Sequence, residues 1–392
     1  MDNVRIGVIG LGNMGSVHVS YMDQITGGTL TAVCDANPAA ADRVAQKFPK
    51  VAKFTKYEDL LASGTCDAIL IATPHFQHPV ITDAAFAKNL HVLCEKPVAV
   101  RVSDARKTNE LHKQHPNLKY GLVFQTRTVP IFQKIKQLID DGELGEITRI
   151  TWIATAWFRT WTYYALGGWR GTWAGEGGGV LINQNPHNLD LLQWLPGMMP
   201  GRVTAIASLG KTHPIEVEDE VSAILEYPNG AIAHFVTGTG EFPGTDRLEI
   251  AGDRGRLVCE KGHIRLTQTR RSVRDIREKS KEAFAIPDAW EIDVPIPAAR
   301  PDAHKAVTQN FVNAILKNEP LICPGEEGVR GLEIGNAMLM AGVTRQPVDL
   351  PMNADAFDTL LKDLEKQYGG RKKLEAPPAD AVVDMGASFA KN

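Results

Sequence analysis

No apolar run in the 392-residue sequence approaches the roughly 18–20 residues that a bilayer-crossing helix requires, so no membrane span is expected. Charge of one sign is equally scarce: 43 Lys and Arg stand against 46 Asp and Glu, a net of -3 with His neutral. So weak a field does not gather nucleic acid or an anionic membrane by counterion release, and neither is an expected partner. Cysteine is thin too. Cys34, Cys66, Cys94, Cys259 and Cys323 are odd in number, widely scattered and free of any C-x-x-C. They indicate neither a disulfide framework nor a zinc cluster, no metal site is expected, and they read as buried thiols. Met1-Asp2-Asn3 passes straight into the strand-like Val4-Arg5-Ile6-Gly7-Val8-Ile9 without a signal-peptide apolar segment, and the expected location is cytoplasmic.

What is present is 43% hydrophobic residues, enough for more than one core. Over residues 1–124 short β-branched runs alternate with helical patterns, the rhythm of a doubly wound α/β domain with a parallel sheet. Strands are expected at Arg5–Ile9, Leu30–Cys34, Ala68–Ala72, His91–Cys94 and Tyr120–Val123, with helices between them. From residue 125 to 392 the rhythm changes to strands joined by tight turns, with Asn229-Gly230 as a hairpin signal. This predicts a second, α+β domain built on a large open, mostly antiparallel sheet, closed by helices near His304–Lys317 and Glu327–Gly342. The exposed sheet face calls for cover by a second copy, hence a homo-oligomer, dimer or tetramer. Arg270–Lys281 reads as a mobile charged loop and 370–392 as a weakly ordered tail.

Gly10-Leu11-Gly12-Asn13-Met14-Gly15 follows the first strand and opens the first helix, and Asp35 ends the second strand twenty residues beyond Gly15. Gly10 permits a tight turn, Gly12 lets backbone amides approach a pyrophosphate, and Gly15 lets helix and strand pack closely. Asp35 would hold the adenosine ribose hydroxyls and repel a 2′-phosphate, so NAD is expected rather than NADP; its competing role is a helix cap before Pro38. Thr73 and Pro74 follow the third expected strand at the ligand-binding edge. His75 and His78 beside them read first as surface-loop histidines and second as cofactor contacts.

Glu95-Lys96-Pro97 ends a further strand at that edge. Pro97 restricts the Lys96 backbone and so aims its side chain. A partly desolvated lysine beside a positive nicotinamide would have its pKa lowered toward working pH, as a general base requires. The counterpart is Gly177-Gly178-Gly179-Val180-Leu181-Ile182-Asn183-Gln184-Asn185-Pro186-His187-Asn188-Leu189-Asp190. One helix from Val180 would put Asn183 and His187 on one face; alternatively, Asn185-Pro186 starts a new helix with His187 in its first turn. Asp190 reads first as a helix-surface residue and second as a partner for His187.

Five of the seven tryptophans, Trp152, Trp157, Trp161, Trp169 and Trp173, fall in one short stretch with Phe158, Tyr163 and Tyr164. Aromatic faces beside abundant glycine suit stacking on a sugar ring, with some of them serving as core. Arg159 and Arg170 lie among them and suit hydroxyls or a carboxylate. Gln125 and Arg127 are expected to face a substrate cleft.

Taken together, the G-x-G-x-x-G with Asp35, Glu95-Lys96-Pro97 and the run Gly177 to Asp190 followed by Trp194-Leu195 resemble the Gfo/Idh/MocA family of sugar and inositol oxidoreductases. The resemblance extends over about 340 residues. It implies a Rossmann domain, a C-terminal domain with an open sheet, a nicotinamide cofactor, and redox chemistry at a secondary alcohol of a sugar, sugar derivative or cyclitol. It makes Lys96 the catalytic lysine and His187 the histidine sharing proton transfer, and it supports Gln125 and Arg170 as lining residues. The family's commoner residue at 183 is Asp; Asn183 supplies a hydrogen bond without charge, which shifts the burden toward Lys96. Two other readings are a redox glycosidase with retained cofactor, acting on a glycoside, and a non-catalytic nicotinamide sensor.

Overall fold

The computed structural model describes residues 2–297, 302–375 and 377, which gather into two compact units. The first unit holds residues 2–128, 175–177 and 302–332. Along the chain it contains β1 (Val4–Ile9), α1 (Asn13–Ser20), β2 (Gly28–Cys34), α2 (Pro38–Lys47), β3 (Ala52–Phe54), α3 (Tyr57–Ala62), β4 (Ala68–Ile71), α4 (Gln77–Phe86), β5 (His91–Cys94), α5 (Val102–His112) and β6 (Tyr120–Leu122). The strands form one parallel sheet in the order β3-β2-β1-β4-β5-β6, the doubly wound arrangement. Val4, Ile6, Val8 and Ile9 are at most 2% exposed, as expected of a strand covered on both faces, each side chain contributing about 1.5–3 kcal/mol. Only three residues long and half-buried, β3 escapes recognition by periodicity.

The second unit holds 129–174, 178–297 and 333–377, less the undescribed Ala376. It comprises α6 (Pro130–Asp140), β7 (Ile147–Ala154), α7 (Trp161–Ala165), α8 (Val180–Asn183), α9 (Pro186–Trp194), β8 (Arg202–Leu209), β9 (Glu218–Glu226), β10 (Ile232–Gly238), β11 (Asp246–Gly252), β12 (Gly255–Glu260), β13 (His263–Thr269), α10 (Val273–Lys279) and β14 (Ala289–Val294). After α11 (Ala303–Lys317) come α12 (Gly328–Thr344), β15 (Val348–Asp349) and α13 (Ala354–Tyr368). Nine strands form one open sheet, β14-β13-β12-β11-β7-β10-β9-β8-β15, antiparallel except where β7 meets β10. Gly230, at φ +83°, closes the β9–β10 hairpin where Asn229-Gly230 predicts it. β8 alternates strictly between buried and exposed over Arg202–Ala207, so one face is core and the other open.

Two expectations change. α11 packs against β1 and β5 of the first unit instead of closing the second sheet. The charged stretch 270–281 contains α10, capped by Ser272 accepting from Asp275 N at 3.1 Å and anchored by Arg274 N to Asp253 at 2.8 Å. Its charges pair, Lys279 with Asp275 and Arg274 with Glu146. In the expected tail, Gly370 N donates to Glu216 at 2.8 Å and Lys373 N to the Pro214 carbonyl at 3.2 Å; Ala376 and residues 378–392 lie outside the described residues. Cys34, Cys66, Cys94 and Cys323 are buried thiols, while Cys259 is half-buried. Among the described residues no helix is long and apolar enough to cross a membrane.

Candidate functional site

In the first unit the expected cofactor residues collect at the carboxyl ends of the strands. Gly10 follows β1 at φ +88°, and a Cβ there would lie 2.6 Å from the Ala72 carbonyl oxygen. A Cβ on Gly15 would stand 1.9 Å from the Gly10 oxygen, whereas one on Gly12 would meet nothing within 4 Å. The close approaches are therefore satisfied by the fold, and the space over Gly12 is what a pyrophosphate needs. Asn13 and Met14 open α1, whose N-cap, Gly12, provides no side-chain acceptor for its amides. The Asp35 carboxylate ends β2, accepting from Leu11 N at 2.7 Å and Asn37 N at 2.8 Å. Asn37, not Asp35, caps α2 through Ala39 N at 3.1 Å. Thr73 Oγ1, after β4, is a buried hydroxyl with no partner among the described residues, and Pro74 follows it. The turn, the amides, the carboxylate and the hydroxyl fit a dinucleotide.

His75 and His78 are not surface residues. They are 5% and 1% exposed. His75 Nδ1 meets the Glu176 carbonyl at 3.1 Å, and the His78 ring lies 2.7 Å from both the Pro97 and Thr73 carbonyls. Burial pushes the His78 pKa down against those two carbonyls, and a neutral ring donates to only one of them. The ring fastens the Thr73 turn to the turn that carries Lys96.

Lys96 follows β5, half-buried, and its peptide bond to Pro97 is cis. Glu95 beside it is buried, accepting from Lys96 N at 3.1 Å through Oε2 and meeting His18 Nε2 at 2.7 Å through Oε1. Burial raises the Glu95 pKa, but the hydrogen bond and charge of His18 outweigh it and hold the carboxyl down at about 2. His18 Nδ1 contacts the Tyr21 hydroxyl, which reaches Thr308 Oγ1 of α11 at 3.0 Å. Gln125 begins a short turn after β6 and is buried. Arg127 departs from expectation: it is 1% exposed and bonded to Glu327 at 2.6 Å and the Ile322 carbonyl at 3.2 Å, a structural tie.

In the second unit the glycine run ends in two helices, not one. Asn183 closes α8, and His187, 8% exposed, lies in the first turn of α9 behind Pro186. Asn185 makes the break, with Nδ2 donating to the Val180 carbonyl at 3.0 Å and to Thr237 Oγ1 at 2.8 Å. Asn183 and His187 therefore do not share one continuous helix face. Asp190 is fully buried and accepts from Gln193 at 2.9 Å, so it is not a surface residue. Trp152 and Trp173 are core at 1% exposure, whereas Trp169 is half-buried and clusters with Tyr163, Arg159 and Arg170.

Sequence reasoning overlooked three carboxylates in Glu216-Val217-Glu218-Asp219. Glu218 Oε1 accepts from Gly179 N at 2.8 Å and Leu181 N at 3.1 Å, fixing the start of α8. Glu216 accepts from Trp173 N and Gly370 N, and Asp219 from the amides of Lys211, Thr212 and His213. Such a cluster resembles a solvated strand end in sequence; only the fold shows each carboxylate closing a loop. Among the described residues no group of three or more His, Cys, Asp or Glu is arranged to hold a metal.

Residues 4–121 match the oxidoreductase family with an NAD-binding Rossmann fold, and residues 132–258 match the GFO/IDH/MocA C-terminal domain. Inositol 2-dehydrogenase of Rhizobium meliloti (strain 1021) is 24% identical over 353 residues, covering 88% of this chain and 99% of that protein. The 1-carboxy-3-chloro-3,4-dihydroxycyclohexa-1,5-diene dehydrogenase of Comamonas testosteroni is 30% identical over 291 residues, covering 71% and 68%. The crystal structure of the WlbA dehydrogenase from Bordetella pertussis, in complex with NADH and UDP-GlcNAcA, superposes with a TM-score of 0.74 at 26% identity, covering 90% and 100%. With both domains matched in order and the Rossmann sheet and open sheet in place, this chain belongs to the Gfo/Idh/MocA family of NAD-binding oxidoreductases.

Proposed function

We propose that the protein transfers hydride between NAD(H) and a secondary hydroxyl of a sugar, sugar derivative or cyclitol. The observation that carries this is the carboxyl edge of the first sheet, where Gly12, Asp35 and Lys96 stand at the ends of β1, β2 and β5. When bound, the nicotinamide supplies the hydride acceptor or donor. The α1 amides hold the pyrophosphate. Asp35 holds the ribose hydroxyls and opposes a 2′-phosphate, and Ala36-Asn37 supplies no cation to offset it, which favours NAD over NADP. Lys96 takes the hydroxyl proton in oxidation and returns it in reduction, with His187 sharing the transfer. Asn183 orients a substrate hydroxyl without adding charge, and Gln125, Arg159, Tyr163, Trp169 and Arg170 line the substrate.

Relatives named as inositol 2-dehydrogenase and as a dehydrogenase bound to NADH and a nucleotide sugar support the substrate class. The open sheet supports self-association: Ile206, Ile224 and Ile232, 55%, 44% and 42% exposed, run diagonally across β8, β9 and β10 on one face.

A panel of hexoses, inositols and aryl glycosides with NAD and NADP, read at the NADH absorbance and by product sugar, tests the proposal. NADH formation with an oxidised ring, faster with NAD, is the expected result. Aglycone release without net NADH would replace it with a redox glycosidase, and no substrate-dependent absorbance change would remove enzymatic turnover from the account.

A further inference from the structure

At the end of the β4–β5 ladder Glu95 N donates to the Ile71 carbonyl at 2.8 Å, and beyond it each strand runs into a turn. The β4 turn, Thr73-Pro74, lies against the glycine turn: a Cβ on Gly10 would stand 2.9 Å from Thr73 N. The Thr73 hydroxyl there is buried with no partner among the described residues. The β5 turn presents Lys96. His78, near the start of α4 and 1% exposed, spans the two turns. Its Nε2 lies 2.7 Å from the Thr73 carbonyl and its Nδ1 lies 2.7 Å from the Pro97 carbonyl.

The backbone around Lys96 is held on both sides. Pro97 has no N–H, so the turn has one donor fewer of its own, and a buried carbonyl there needs a donor from elsewhere. Glu95 Oε2 takes the Lys96 amide at 3.1 Å, and His78 meets the Pro97 carbonyl. Val98, Ala99 and Val100, at most 3% exposed, anchor the following residues in the core. The long Lys96 stem therefore starts from a fixed point.

An apolar side chain at 78 would fill the same space without the cost of desolvating an imidazole. Burial lowers the His78 pKa most and the Lys96 ammonium acts the same way, while the two carbonyls and the Glu95 carboxylate act against them. What the imidazole adds is a rigid bridge, and both carbonyls it meets belong to turns of the candidate site. Local rules broken at such a cost gather at functional sites.

We propose that His78 is a positioning residue for hydride transfer, fixing the turn that carries Lys96 against the Thr73 turn of the cofactor edge. It acts through Pro97 and Thr73 and touches neither cofactor nor substrate. This rests on the hydride-transfer reading, in which Lys96 carries the proton.

The test compares His78→Leu, His78→Asn and His78→Gln with the parent as full chains, measuring kcat, NADH affinity and unfolding free energy. In parallel, the isotope-labelled methyl NMR signal of reductively dimethylated Lys96, assigned by its loss in Lys96→Arg, is recorded with and without NADH. Leu offers no donor, and kcat falls about tenfold or more, since a misplacement of about 1 Å costs roughly 10²-fold. NADH affinity stays within about threefold, and the Lys96 signal loses its parental response to NADH. Asn keeps a donor near Nδ1 and Gln one near Nε2; at least one of them restores most of kcat and the NMR response, and identifies the tie that places the lysine. If His78→Leu does not fold, Asn and Gln carry the comparison, one of them close to the parent in kcat and the other about tenfold lower. A kcat in His78→Leu within about twofold of the parent, a loss that neither Asn nor Gln repairs, or equal losses of kcat and NADH affinity would overturn the proposal. A parent without turnover whose Lys96 signal answers to NADH only while His78 is present would leave the positioning role standing and count against the hydride-transfer reading; full turnover in both parent and His78→Leu would do the reverse.

Discussion

The carboxylate of Glu95 meets the imidazole of His18 at 2.7 Å inside the Rossmann unit, their side chains 5% and 0% exposed, directly beside Lys96. One oxygen of Glu95 faces His18 and the other accepts from the Lys96 amide, so the contact joins helix α1 to the turn that presents the lysine. Tyr21 and Thr308 extend the chain of contacts to α11.

Removing either partner strands the other in a buried site, so Glu95→Ala and His18→Ala should each lose about 3–5 kcal/mol of unfolding free energy. Glu95→Gln should lose less, because its amide still hydrogen-bonds. The folded carboxyl titrates at about 2 and an unfolded one at about 4.3. This contribution is thus fully present above the upper value and is lost as pH falls through the lower one. Urea denaturation across this acid range should show that loss in the parent protein and a flatter profile in Glu95→Gln.

Gly12 and Gly15 separate cofactor binding from folding. Gly15→Ala puts a methyl 1.9 Å from the Gly10 oxygen, and a forced backbone shift should cost about 1–3 kcal/mol or more. Gly12→Ala meets nothing within 4 Å, so its unfolding free energy should stay within about 0.5 kcal/mol of the parent. Its NADH affinity should nevertheless fall by about tenfold or more, because the methyl occupies the approach to the α1 amides. Thermal melts and NADH fluorescence titrations on both variants check the contrast; equal NADH affinity in Gly12→Ala would argue against this turn as the pyrophosphate site.

Glu218 holds the first turn of α8 by the amides of Gly179 and Leu181. Glu218→Ala should cost about 1–3 kcal/mol through those stranded donors. Because the segment leads to Asn183 and His187, kcat should fall while NADH affinity, a property of the other unit, is unchanged. Equilibrium denaturation, steady-state rates and an NADH titration distinguish this from general unfolding.

The Rossmann half was largely legible because its signals are local: a glycine turn between strand and helix, Asp35 at the next strand end, and buried apolar runs. β3 was not, being three residues at a sheet edge. The break between Asn183 and His187 stood open between two readings, and the Asn185 contacts to Val180 and Thr237 decide it through a partner 52 positions away. Arg127, His75 and His78 misled for a related reason. Polar residues in loops look solvated until distant carbonyls and carboxylates claim them, as Glu327 claims Arg127 across 200 positions. Glu218 is the same effect in reverse, a strand-end acid that caps a helix 37 positions away.

The most direct test of the central claim is Lys96→Ala in the intact protein, with NADH affinity and turnover of an established substrate measured side by side. The account predicts NADH affinity within about threefold of the parent and turnover lowered by roughly 10²–10⁴-fold or more, since the proton acceptor is gone and the dinucleotide turn is intact. Turnover within about tenfold of the parent would contradict it, because general acid–base catalysis by this ammonium could not then be carrying the reaction.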